Sequence, residues 1–160
     1  MTIENIKELM DGVDIAQLLP NIDSILAFAV FLARFCLLLG PVVVLALGLH
    51  YFLLAPKEAN YTTGYRFRWG MASVESWRFM QQVAGIVWGL LGLGLLIAMG
   101  VTNGQLADLA LMDVLWLVVK RLALQIALLL GSCVVIDVIV FSRFDRKGKR
   151  RLTWRELYQV

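Results

Sequence analysis

Three stretches govern what this chain can become. Phe35–Leu54, Val83–Met99 and Leu122–Phe141 are almost wholly apolar, and His50 and Asp137 are their only residues that carry charge near neutral pH. A helix crosses the roughly 30 Å hydrocarbon core of a bilayer with about 20 residues. Backbone in lipid must satisfy its own hydrogen bonds, which makes such stretches helical. Composition agrees: the 160 residues are 60% hydrophobic, against roughly 45–50% in soluble domains. A water-soluble chain this short has too little interior to hide that surface. The sequence therefore predicts an all-α membrane protein of about three transmembrane helices, with one or two interfacial amphipathic helices.

The organisation follows from the segments between. Residues 1–23 are acidic, with Glu4, Glu8, Asp11, Asp14 and Asp23 against Lys7. Ile3, Ile6, Leu9, Met10, Val13, Ala16 and Leu18 recur among them in a helical rhythm, which predicts an amphipathic helix on the membrane surface or on a partner. The acidity is the opposite of a signal peptide's basic start, so the segment is expected to stay on the mature chain. Pro20 closes it, and Asn21, Asp23 or Ser24 are candidate caps for the next helix. Residues 24–142 form the bundle, with spans at about 35–54, 83–99 and 122–141 and a loop at 55–82. Pro41, after Gly40, predicts a kink in the first span. In the second, Gly85 and Gly89 make a G-x-x-x-G pair with Gly92 near the same face. That pattern suits close helix packing, either within the chain or between two copies.

Thr102-Asn103-Gly104-Gln105 has a capping-box spacing and is read as a turn. The stretch 106–142 is too long for one upright span and holds Lys120 and Arg121 near its middle. The preferred reading is an interfacial or tilted helix over 106–119 followed by a span. One long tilted helix and a re-entrant pair are the alternatives.

Residues 143–160 form a basic tail, with Arg143, Arg146, Lys147, Lys149, Arg150, Arg151 and Arg155 against Asp145 and Glu156. Thr153 and Glu156 have the spacing to cap a short helix. Basic segments beside spans stay in the cytoplasm. With three spans, the net-positive loop at 55–82 shares that side and the acidic N-terminus lies outside. A multi-pass protein of the bacterial inner membrane is expected, its tail drawn to anionic lipid headgroups at about 1 kcal/mol per basic residue.

The loop reads Gly64-Tyr65-Arg66-Phe67-Arg68-Trp69-Gly70-Met71-Ala72-Ser73-Val74-Glu75-Ser76-Trp77-Arg78 before the second span. Gly64 permits a turn that other residues resist, and Arg66 offers a bidentate fork to a phosphate, a carbonyl or a carboxylate. Glu75 suits a helix N-terminus, and an Arg66–Glu75 pair is expected to close the loop. Trp69, Trp77, Tyr61 and Tyr65 are read as interfacial anchors. Gly64, Tyr65, Arg66, Met71, Glu75, Trp77 and Gly85 together resemble the SdpI family of bacterial membrane proteins, over roughly residues 64–97. That family often carries Asn where Gln81 stands and Thr-Pro where Phe67-Arg68 stand. The resemblance implies a role in immunity against a secreted peptide, or in signalling through a protein partner, with Gly64, Tyr65, Arg66, Met71, Glu75 and Trp77 shaping the contact.

Other residues supply competing readings. Asp137, with His50 or Arg143 as its partner, is the intramembrane polar site that a small transporter or channel would use. Arg34, Lys120 and Arg121 form an outer basic cluster. With so few helices, a homo-oligomer or a place among other membrane-protein subunits is expected, and an accessory subunit of a larger complex is the alternative function. Cys36 and Cys133 lack metal or redox spacing and read as small apolar side chains. No nucleophile–base pair, phosphate loop or metal cluster stands out, so no enzyme, no cofactor and no metal are expected. The tail lacks the framework that accompanies nucleic-acid binding.

Overall fold

The computed structural model describes residues 22–60, 62–106 and 109–151. Among the described residues, three helices make up the fold: α1 (Ile22–Leu53), α2 (Val74–Gln105) and α3 (Leu111–Arg143). Each is long and apolar enough to cross a membrane. Only 17% to 33% of the apolar window in each helix is buried inside the bundle. Phe28, Phe31, Leu90, Ile97 and Leu130 are all more than 60% exposed. Apolar residues turned outward in this number require lipid around them. This is an all-α membrane protein.

The helices are longer than the apolar windows suggest. Helix α2 starts at Ser73, whose hydroxyl accepts from the Ser76 N–H while the Ser76 hydroxyl accepts from the Ser73 N–H, both at 3.1 Å. This reciprocal capping box satisfies two N–H groups that a helix start leaves orphaned. Glu75, Trp77, Gln81 and Gln82 thus stand on α2 rather than in a loop. Thr102–Gln105 is the last turn of α2 and not a separate turn. The Thr102 hydroxyl donates to the Ala98 carbonyl at 2.9 Å, which satisfies it within the helix.

Helix α3 runs unbroken from Leu111 through Lys120 and Arg121, so the single long helix holds and the interfacial piece over 106–119 does not form. Two charges mid-helix leave every backbone bond intact, whereas a break in apolar surroundings would orphan several. Long side chains carry the charge elsewhere: Lys120 is exposed and Arg121 half-buried. The amphipathic segment at 3–18, the Asn21 cap, Tyr61 and the Thr153–Glu156 cap lie outside the described residues.

Helices α1 and α2 pack most closely. A Cβ built on Gly85 would lie 2.6 Å from the Phe52 backbone N, and one on Gly92 2.6 Å from the Leu45 Cα. Gly48 in turn sits against the backbone of Trp88 and Gly89. The three contacts run antiparallel in constant register, with bare backbone meeting backbone. Gly85 of the G-x-x-x-G pair and Gly92 are therefore used in packing inside the chain. Gly89 itself faces open space.

Helix α3 is tied to α1 through a defect in α1. Pro41 lies inside the helix and has no N–H for the Leu37 carbonyl four residues earlier. The Gln125 Nε2 of α3 donates to that carbonyl at 3.0 Å. Gly40 leaves the room, since a Cβ there would collide with the Gln125 Oε1. Gln125 is 7% exposed and Leu37 fully buried. A second polar link joins α2 to α3, where the Trp88 Nε1 donates to the Ser132 Oγ at 3.0 Å.

Candidate functional site

At one end of the bundle, residues 54–60, 62–73 and 144–151 fold together as a basic head. Its turn begins at Gly64, whose φ of +105° is a left-handed conformation that favours glycine. A Cβ there would also press on the Trp77 ring at 2.9 Å. Trp77 is fully buried and its Nε1 donates to the Pro56 carbonyl at 2.7 Å. The ring is therefore a pillar under the turn and not an interfacial anchor. Arg78, one residue on, reaches the Lys57 carbonyl with its Nε at 3.2 Å.

Gln81 holds the next residue from below. Its Oε1 accepts from the Tyr65 N–H at 2.9 Å and its Nε2 donates to the Tyr65 carbonyl at 2.7 Å. A carboxamide that pairs with one peptide unit in both directions fixes that residue's orientation. Gln81 is 1% exposed, so both bonds are shielded from water. The Tyr65 ring then enters the bundle and stands edge-on to Trp88, with centroids 5.5 Å apart. Its hydroxyl donates to the Asp137 Oδ1 at 2.8 Å and lies 3.2 Å from the Cys133 carbonyl. Burial, and then the bond to Asp137, push the Tyr65 hydroxyl's pKa well above its ordinary value.

Asp137 is thus joined to the motif tyrosine. His50, exposed on α1, lies tilted against Tyr51 with ring centroids 5.7 Å apart instead, and neither it nor Arg143 bonds to Asp137. The expected Arg66–Glu75 pair is also absent among the described residues. Arg66 is exposed and within electrostatic reach of Tyr51 on α1, whereas Glu75 borders a cavity of about 560 Å³ with Arg78, Arg143 and Arg150. Met71 is half-buried and packs on the cluster around Trp77 and Met80.

The start of the tail closes the head from the other side. Phe144 and Arg150 pair as an antiparallel bridge across a tight turn. Asp145 accepts from the Lys147 and Lys149 N–H groups, both at 2.8 Å. Gly148 has a φ of +71° and a carbonyl that accepts from the Ser73 hydroxyl at 2.8 Å. The residue that caps α2 therefore also docks the tail. Trp69 stacks on Phe141 of α3 at 4.2 Å, half-buried. Arg146 lies over the Trp69 ring at 5.9 Å, and these two with Arg68 line a cavity of about 410 Å³.

Gln81, Ser73 and Gly148 are the members that sequence reasoning missed. Gln81 had one signal, a polar side chain one turn after Trp77 on a helix face that is otherwise buried. Ser73 and Gly148 had none, because their contact joins residues 75 positions apart. Among the described residues no cluster of His, Cys, Asp and Glu is placed to hold a metal ion, and Cys36 and Cys133 are half-buried free thiols.

Comparison with known proteins bears on the same segment. No curated protein and no solved structure matches the chain. The model of the SdpI/YfhL protein family matches residues 57–141, which takes in the head's turn, Tyr65, Gln81 and Trp77, all of α2, and α3 as far as Phe141. The match spans more than half of the 160 residues and coincides with the elements that build the head, so the chain belongs to the SdpI/YfhL family.

Proposed function

We infer that this protein serves in immunity or signalling at the bacterial inner membrane by binding a peptide or protein partner through its basic head, rather than by turning over a substrate. The observation that supports this is a division of labour among the motif side chains. Gly64, Tyr65, Trp77 and Gln81 are consumed in building the head, while Arg66, Arg68, Glu75 and Arg78 are exposed on it beside Arg143 and Arg146. A rigid platform carrying a dense positive surface suits an acidic partner, which it would attract at long range. The link from Tyr65 to Asp137 connects that platform to α3, within two turns of that helix's end. A partner that shifts the turn would therefore be felt by α3.

The same charge distribution favours a cytoplasmic head and C-terminus, with the N-terminus outside. Protease added to intact cells should spare a tag fused after Val160, and digestion of that tag from outside would overturn this orientation. The functional reading predicts that deletion sensitises the producing cell to a secreted peptide. An Arg66→Ala protein present at normal levels should fail to restore protection or partner capture. Full protection and unchanged capture by that variant would remove the head from the function.

A further inference from the structure

At the end of the bundle remote from the head, three polar groups from three different helices stand at one level. In α1, Arg34 is one turn before Leu37 and Leu38; in α3, Arg121 is one turn before Gln125, the residue that bonds to the Leu37 carbonyl. Because α1 and α3 run in the same direction, both arginines are displaced the same way from that contact. Helix α2 runs the other way. Its register against α1, set by Gly85 at Phe52 and Gly92 at Leu45, brings Asn103 to the level of Arg34. The apolar cluster encloses this layer from both sides, with Leu37, Leu95 and Met99 toward the head and Leu106, Val114 and Val118 beyond.

The Arg34 Nε, the Arg121 Nε and the Asn103 Oδ1 are all buried, and none meets a hydrogen-bond partner among the described residues. Two donors on permanent cations and one acceptor in apolar surroundings are costly unless something pairs with them. Depth indicates what that is. Arg34 precedes the end of α1 by nineteen residues and Arg121 precedes the end of α3 by twenty-two. At 1.5 Å per residue these are roughly 29 and 33 Å, about the thickness of the hydrocarbon core. With the head at one interface, the layer falls within reach of the headgroups of the opposite leaflet, and the exposed Phe28 and Phe31 lie beyond it at the interface. Arg34 also borders a cavity of about 430 Å³ between α1 and the corner joining α2 to α3, with Leu106 and Val114 among its walls. Of the three, Arg34 alone lines that space, and its other walls are apolar, as suits the chains of a lipid whose headgroup Arg34 holds.

We propose that Arg34, Arg121 and Asn103 form a specific phospholipid headgroup site. The guanidinium groups hold the phosphodiester, and the Asn103 carbonyl accepts from a headgroup donor such as the ethanolamine ammonium. Guanidinium forks match phosphate geometry, and choline offers no N–H or O–H to Asn103. This site is independent of the partner reading, which concerns the opposite end of the molecule.

The test uses the full chain in mild detergent. Native mass spectrometry reads retention of phosphatidylethanolamine and phosphatidylcholine, both zwitterionic, so that the basic head contributes equally to each. Wild type should retain phosphatidylethanolamine preferentially. The Arg34→Gln/Arg121→Gln variant should retain roughly tenfold less, as expected for lost charge-assisted bonds. Asn103→Leu, a milder change, should retain phosphatidylethanolamine and phosphatidylcholine alike. Equal retention of the two lipids by wild type would overturn the proposal, as would undiminished retention by the double arginine variant. Thermal stabilisation by inorganic phosphate alone that matches that by lipid in wild type and disappears in the double arginine variant would identify a free anion as the ligand and equally overturn the headgroup reading.

Discussion

Tyr65 is the residue through which the motif reaches the bundle, and its hydroxyl proton is the device. Burial, followed by the bond to Asp137, raises its pKa above the ordinary 10.0. The folded chain therefore favours the neutral phenol. That preference contributes fully below pH 10 and is lost as pH rises through the folded value. In a pH titration followed at tyrosinate absorbance, wild type and Tyr65→Phe should give the same signal up to pH 10, and one fewer early-titrating tyrosine should not appear in the variant. Removing the hydroxyl should lower stability by about 0.5–1.5 kcal/mol, the net worth of one such bond, measured by unfolding in detergent. The glycines of α2 make a sharper case at this scale, because three look alike in sequence. Gly92→Ala should destabilise by about 1–3 kcal/mol, as overpacking does, since its new methyl meets the Leu45 backbone and cannot push it aside. Gly89→Ala should be neutral or slightly stabilising, because open space receives its methyl and alanine favours the helix by about 1 kcal/mol. Equal losses at both positions in thermal unfolding would refute the α1–α2 register.

Within the elements, the proline of α1 is matched by a glutamine of α3. Gln125→Leu should cost about 1–3 kcal/mol, because it leaves the Leu37 carbonyl buried without a donor. In a Pro41→Ala background, the restored N–H of residue 41 can bond to that carbonyl within the helix. There the same Gln125→Leu change should cost distinctly less. A double-mutant cycle on unfolding free energies reads the difference directly. Strict additivity would show that the carbonyl is satisfied in some other way. The existence of α1, α2 and α3 was legible from the apolar runs alone. Their ends were not: α2 begins where Ser73 and Ser76 cap each other, and α3 passes through Lys120 and Arg121. Hydropathy sees neither a serine pair nor the reach of a lysine side chain.

At the scale of the whole molecule, the head joins the motif turn to the tail through the Ser73–Gly148 bond. Asp145 holds the tail's turn together, and the Lys149 N–H bond, ahead of that from Lys147, keeps its carboxyl below the ordinary 3.8. The resulting stabilisation is present above that value and is lost as pH falls through the folded one. Ser73→Ala removes the cap of α2 and the dock of the tail together. Capping losses run about 0.5–2 kcal/mol. Limited proteolysis at Lys147 and Lys149 should therefore quicken in this variant at neutral pH, and in wild type only below about pH 4, near the ordinary carboxyl value. Unchanged cleavage in the variant would separate the tail from the head.

By itself the sequence determined the solvent, the number of spans and the basic character of one end. These follow from composition and spacing along the chain, which lipid partitioning reads without any knowledge of contacts. Only the tertiary structure decided that Asp137 answers to Tyr65 instead of His50, that Gly85 and Gly92 face α1 instead of a second copy, and that Arg66 and Glu75 stay apart. Each of those outcomes depends on the relative rotation and register of two helices. A shift of one residue turns a helix face by about 100°, so pairings between distant residues are fixed by packing and leave no local trace.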